Sequence, residues 1–287
     1  MTTISPIKIT ECPRDAMQGL HNFVPTDIKT AYINLLLQVG FDTIDFGSFV
    51  SAKAIPQMQD TAAVLAKLDL SNSRSKLLAI VANLRGAEEA MKFEEITYLG
   101  FPFSISETFQ QRNTNSGIED SFNTVKQIHA LCGRHNKQLR IYLSMAFGNP
   151  YGDEWNADIV AHWAEKMVGE GINIISLADT TGVSTPENIG YLYRHLSANF
   201  PETEFGVHLH SIPQTSIRKI KAAYVSGCTN FDSALKGYGG CPMAADDLTG
   251  NIATETLMGY LTEQRVELNF DMDKWAEAMA FSEKVFR

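Results

Sequence analysis

Phe205-Gly-Val-His-Leu-His210 is a short apolar run that leads into a stretch of helical period over residues 212–226, then Gly227, then a second apolar run over 230–235. An apolar run of six residues is strand length, and a helical crossover to the next run makes the two strands parallel neighbours in one sheet. Gly227 falls just past the helix, where a left-handed cap is wanted. The same unit recurs in both directions. Strand-like runs lie at 7–12, 43–47, 77–82, 95–103, 139–145 and 172–177, and helical patterns at 26–39, 54–68, 116–135, 154–170 and 185–199. Gly40 and Gly171 repeat the cap position, and Thr185-Pro186-Glu187 reads as an N-cap with proline at the first helical residue.

The count comes to eight strands, each followed by a helix. Near-continuously apolar strands with helical crossovers favour a closed (β/α)8 TIM barrel over an open doubly wound sheet. A dinucleotide-binding sheet has no support, because no G-x-G-x-x-G follows the first strand. The chain is expected to be a single domain over 1–287, the stretch from 251 onward forming helices that close the barrel. Its 287 residues are 44% hydrophobic, enough for a large core, and such barrels run to roughly 250 residues as one domain.

The formal charge of −9 argues against a nucleic-acid or anionic-membrane partner. Residues 1–9 lack a basic stretch followed by an apolar core, and no apolar run approaches the ~20 residues that cross a bilayer. A cytoplasmic place is the expectation. Cys12, Cys132, Cys228 and Cys241 show no close pairing and read as free thiols.

In a TIM barrel, reacting groups sit at the carboxyl ends of strands. Arg14 and Asp15 are expected to end strand one, Asp45 and Ser48 strand two, Ser176, Asp179 and Thr180 strand six. Asn113 falls in the loop after strand four, and His208 and His210 end strand seven. Cys241 and Asn251 lie in the long loop after strand eight. His208 and His210, two apart on a strand, point the same way. With the Asp15 carboxylate and Asn251 they offer a mixed nitrogen and oxygen site for Mg²⁺ or Mn²⁺ rather than a structural zinc. Paired histidines are also at home as hydrogen-bonded core residues. Gly239-Gly240-Cys241-Pro242 presents a thiol in a turn suited to a mobile lid. Arg14 is either a structural ion-pair partner or a fixed cation for a developing enolate oxygen. Asp179 is counted with the catalytic groups, capping of the turn after it being the other role open to it.

Glu11-Cys-Pro-Arg-Asp-Ala-Met-Gln18 resembles the opening motif of the DRE-TIM metallolyases, a superfamily of metal-dependent lyase and synthase barrels. The stretch from Ser48 to Met58, Ser106-Glu107 with Asn113-Thr114-Asn115, Ser176-Leu-Ala-Asp-Thr-Thr-Gly182, and Gly239-Gly-Cys-Pro242 with Gly250 to Glu255 resemble the 3-hydroxy-3-methylglutaryl-CoA lyases more specifically. The resemblance implies retro-Claisen cleavage of an acyl-CoA substrate, with Mg²⁺ or Mn²⁺, by a homodimer. It places metal ligands at Asp15, His208, His210 and Asn251. It makes Arg14 the catalytic arginine and Cys241 the loop cysteine that supplies a proton, with His208 or Asp15 as base. Gln18, Asp45, Ser48, Asn113, Ser176 and Thr180 are then the substrate-binding set. The chain departs from that family's pattern at Asp45 (usually glutamate), Ala16 (glycine), Asn149 (often cysteine), Ser211 to Thr215, and a Cys241-to-Asn251 loop one residue longer. No metal ligand is lost. The other readings are a condensing synthase of the isopropylmalate or homocitrate type, a 4-hydroxy-2-oxo acid aldolase, and a barrel kept only for binding.

Overall fold

The computed structural model describes residues 6–240 and 249–286. Eight parallel strands close into a barrel in sequence order: β1 (Lys8–Glu11), β2 (Thr43–Ser48), β3 (Lys76–Ile80), β4 (Ile96–Ser104), β5 (Gln138–Ser144), β6 (Ile174–Asp179), β7 (Glu204–Leu209) and β8 (Asn230–Ser233). β8 pairs with β1, Lys8 to Asn230 through Glu11 to Ser233, so no strand edge is left open. The helices are α1 (Pro13–Gln18), α2 (Thr26–Val39), α3 (Thr61–Leu65), α4 (Leu84–Ala90), α5 (Glu107–Thr114), α6 (Ile118–Arg134), α7 (Ala157–Gly169), α8 (Pro186–Asn199), α9 (Pro213–Val225), α10 (Thr254–Glu263) and α11 (Met272–Val285).

All eight expected strands form. Gly40, Gly171 and Gly227 take left-handed φ values of 93°, 83° and 94°. Thr185 caps α8 in a reciprocal box with Asn188, and Pro186 is its first residue. Three local expectations are corrected. Arg14 and Asp15 do not end a strand but lie in α1, which starts at Pro13, a first-turn residue that needs no N–H. Asn113 lies in α5, a polar helix capped by Ser106, not in a loop. The helix expected over 54–68 breaks into a 3-10 turn at Pro56–Met58 and the short α3. Ile55, forced extended ahead of proline, interrupts it.

The main hydrophobic core lies between the strands and the helix ring, while Leu78, Ile80, Tyr98 and Tyr142 pack inside the barrel. Along β2 the pairing register shifts between Asp45 and Gly47. Phe46 joins the outer core, and a Cβ on Gly47 would sit 2.5 Å from Thr61 Cγ2. That bulge lets Asp45 and Ser48, three residues apart, serve the same end of the barrel.

Two buried polar anchors close seams beside that end. At the β1/β8 seam, Glu11 accepts from the Leu235 amide at 2.8 Å and the Thr254 hydroxyl at 2.6 Å, joining β1 to the turn after β8 and to α10. At the β6/β7 seam, Lys219 on α9, 3% exposed, donates to Asp179 Oδ2 (2.7 Å), the Gly182 carbonyl (2.9 Å) and the His210 carbonyl (2.8 Å). All three ammonium protons are used.

Burial lifts the Glu11 carboxyl from 4.5 to about 8, against its two donors. The folded protein therefore keeps a proton that the unfolded chain releases, and Glu11's contribution to stability falls as pH rises from 4.5 to 8. Glu11→Gln should flatten that dependence, gaining on the parent with each step up in pH, as read from urea midpoints at pH 5, 6, 7 and 8. Lys219→Met strands a buried carboxylate and should cost about 3–5 kcal/mol in urea unfolding. Most of that loss should return in Lys219→Met/Asp179→Asn.

Candidate active site

The carboxyl ends of the strands surround a cavity of about 390 Å³. Its wall includes Arg14, Asp15, Gln18, Ser48, Asn113, Thr180, His208 and His210. One side is apolar, with Val50, Ile55, Ile80 and Pro102.

The helical turn of α1 decides how the first three residues act. Arg14 and Gln18 are four apart and Asp15 and Gln18 three apart, so all three share a face. Arg14 Nη1 donates to Asp15 Oδ1 at 3.1 Å and to Gln18 Oε1 at 3.0 Å, and Gln18 Nε2 donates to Asp15 Oδ1 at 2.7 Å. The other edge of the guanidinium faces Asp45, with Nε 3.1 and 3.0 Å from its two oxygens and Nη2 2.5 Å from Oδ2. Burial pushes both carboxyls towards the neutral form and the neighbouring charge opposes it, with opposite outcomes for the two. Burial raises Asp15, yet the Arg14 charge, with the two histidines and the Asn251 amide, holds it down at about 2. For Asp45 burial outweighs Arg14 and leaves the carboxyl at about 6. Between two carboxylates, Arg14 itself is pushed further up despite its own burial.

His208 and His210 share a face as expected, with Nε2 of one 3.1 Å from Nε2 of the other. Their other nitrogens differ. His208 Nδ1 lies 3.1 Å from Asp232 Oδ2, whereas His210 Nδ1 is buried with no hydrogen-bond partner among the described residues. Burial lowers His210 to about 4, the neighbouring His208 adding to it. Burial lowers His208 as well, but the bond and charge of Asp232 reverse it, and the net shift is upward. Asp15, His208 and His210 bring ligand atoms within 4.8 Å of one another, all buried. Asn251 is bridged to His210 through the backbone, and its Nδ2 donates to Asp15 Oδ2 at 2.6 Å and to the Tyr238 carbonyl at 2.9 Å.

These residues fit a divalent cation. The donors are nitrogen and oxygen, desolvated and convergent. Among the described residues around them stand two buried arginines, Arg14 and Arg140, against the three buried carboxyls of Asp15, Asp45 and Asp232. That leaves an excess of one carboxylate, which a cation offsets.

The remaining expected residues stand further back. Asp45 grips Arg14 from behind, and Ser176 is buried on β6. Thr180 lines the cavity and accepts from the Met145 amide at 3.0 Å. Asp179 is 1% exposed and takes the Ser184 amide (3.0 Å), the Ser184 hydroxyl (2.5 Å) and Lys219, so it caps its turn. Cys241 lies outside the described residues. Sequence reasoning passed over Asp232, Arg140 and Tyr142. Tyr142 meets His208 edge-on at 5.5 Å and lines the cavity. The signal for it was strand alternation, which sets it two residues before Ser144 on the inner face.

The chain is 34% identical over 278 residues, 96% of its length and 80% of the relative's, to the cytoplasmic 3-hydroxy-3-methylglutaryl-CoA lyase of Rattus norvegicus. It is 31% identical to the hydroxymethylglutaryl-CoA lyase of Bacillus subtilis, over 95% of this chain and 90% of that one. The solved HMG-CoA lyase of Acinetobacter baumannii, in complex with coenzyme A and 3-methylmalate, superposes with a TM-score of 0.91 at 29% identity, covering 100% of this chain and 93% of its own. The HMGL-like profile matches residues 7–281. With that match over nearly its whole length, the chain belongs to the HMGL-like family.

Proposed function

We propose that the chain is a divalent-metal-dependent carbon–carbon lyase that cleaves 3-hydroxy-3-methylglutaryl-CoA into acetyl-CoA and acetoacetate. One observation carries the reading: Asp15, His208 and His210 converge, buried, beside Arg14 in the wall of a 390 Å³ cavity. Relatives bearing that activity in their names align over 95–96% of the chain. The rat relative is cytoplasmic by name, which supports the same place for this chain, and the family resemblance supports a homodimer.

Asp15, His208 and His210, with Asn251 beside them, are the residues that would hold the ion, Mg²⁺ or Mn²⁺. Bound there, it supplies a Lewis acid that lowers the pKa of the substrate's tertiary hydroxyl. The protein's own groups do the rest. Asp15 accepts the hydroxyl proton as the C2–C3 bond breaks, and His208 serves as a ligand. The C3 oxygen becomes the ketone of acetoacetate, and the bond electrons pass into the thioester as the acetyl-CoA enolate. Arg14, fixed in place by Asp45 and Gln18, faces that developing oxyanion without having to reorganise. Cys241 returns a proton to C2, completing acetyl-CoA. Gln18, Ser48, Asn113 and Thr180 offer hydrogen bonds along the cavity wall, Ser176 stands behind them on β6, and Val50, Ile55, Ile80 and Pro102 exclude water from the other side. Asp179 acts by holding the turn after β6.

Purified protein with Mg²⁺ or Mn²⁺ should form acetoacetate from 3-hydroxy-3-methylglutaryl-CoA and lose that turnover in EDTA. Bound metal with no product would reject this substrate. Arg14→Gln should lower kcat by about 10²–10³ while KM moves far less, because the enolate charge exists only near the transition state. An effect confined to KM would make Arg14 a substrate anchor.

A further inference from the structure

Asp232 stands on β8 directly behind His208 and is 6% exposed. Its Oδ2 meets His208 Nδ1 at 3.1 Å, and its Oδ1 lies 3.6 Å from Arg140 Nη1. Arg140, on β5 across the barrel, is itself fixed. It donates to Thr10 Oγ1 at 2.9 Å and lies over the Tyr98 ring, 5.2 Å from its centroid. A row of groups thus runs through the barrel from Thr10 to Arg140, Asp232 and His208, with none of the first three lining the cavity.

An imidazole that is to ligate through Nε2 must carry its proton on Nδ1, and a carboxylate at Nδ1 enforces that tautomer. His208 has such a partner. His210 has none, since its Nδ1 is buried and unpaired among the described residues. The two Nε2 atoms face one another at 3.1 Å, so whichever tautomer His208 takes dictates what His210 does. From this geometry we infer that Asp232, backed by Arg140, is the positioning residue of the metal site, presenting the lone pair of His208 Nε2 to the cation. This rests on the lyase reading in so far as Asp15, His208 and His210 hold a divalent ion.

Asp232→Asn keeps the shape and removes the charge. Mn²⁺ binding to the metal-stripped enzyme, titrated by electron paramagnetic resonance without substrate, should weaken about tenfold to a hundredfold. The ¹⁵N spectrum of histidine-labelled apoprotein should show His208 shifting from the Nδ1-protonated form toward a mixture of tautomers. Asp232→Asn leaves Arg140 without its buried counter-charge, so Asp232→Asn/Arg140→Met is measured alongside. If Asp232 serves only stability, the double variant regains both its unfolding midpoint and its Mn²⁺ affinity. If it positions His208, the midpoint recovers and the affinity stays low. Affinity within twofold of the parent in either variant, with an unchanged tautomer, overturns the inference while leaving the lyase reading intact. Failure of the parent itself to bind Mn²⁺ overturns both.

Discussion

Arg14 is the charge on which the mouth of the barrel depends. Asp15 and Asp45 are both buried, and neither would stay ionised there alone. One guanidinium serves both, edge-on to Asp45 and end-on to Asp15, with Gln18 closing the remaining corner. Its planar fork allows this, and a lysine ammonium would have to choose between the two carboxylates. The consequence is unequal. Asp15 sits near 2 and is a permanent anion facing the histidines, while Asp45 sits near 6 and spends its charge on holding Arg14. A fixed cation and a fixed anion side by side, both drawn from one turn of α1, are the parts that carbon–carbon cleavage through an enolate requires.

Much of this was legible in the sequence because it is local. Eight apolar runs, capping glycines at 40, 171 and 227, and the N-cap at Thr185 each follow from short-range rules, and the barrel follows from counting them. His208 and His210 were legible because two residues of strand return a side chain to the same face. The misreadings were local conflicts. α5 is polar and only eight residues long, so its periodicity carries no apolar stripe; its cap at Ser106 and its neighbour α6 hold it in place. Pro56 splits a helical pattern that composition alone continues. Arg14 and Asp15 look like the end of a strand because Pro13 ends extended pairing and starts a helix at the same residue.

What no reading of one strand yields is the layer inside the barrel. Asp232 sits in a short strand, Asn-Phe-Asp-Ser, with no neighbour in sequence that pairs with it. Its partners lie on β5 and β7, and only closure of the barrel brings three strands' inward residues to one level. Asp179 shows the converse. Its place at the end of β6 and before Thr-Thr-Gly reads as catalytic, yet its oxygens are taken by Ser184 and by a lysine forty residues on. Buried carboxylates at a barrel mouth divide into those facing the cavity and those holding the elements that frame it, and only the contacts tell them apart.

The division has a physical logic. Glu11 and the Asp179–Lys219 pair each knit a seam between strands, and both are satisfied among themselves. Among the described residues the cavity groups are satisfied only in part: His210 keeps a buried nitrogen unpaired, and the carboxylates outnumber the arginines by one. A protein that neutralised this last charge internally would have no use for a cation. Here the uncompensated carboxylate and the paired Nε2 atoms form a deficit that a divalent ion fills, and filling it turns the mouth from net negative to net positive. That sign suits an acyl-CoA substrate whose cleavage creates one more negative charge beside Arg14. The seams bear the cost of keeping the deficit in place, and so the site can remain incomplete without loosening the barrel.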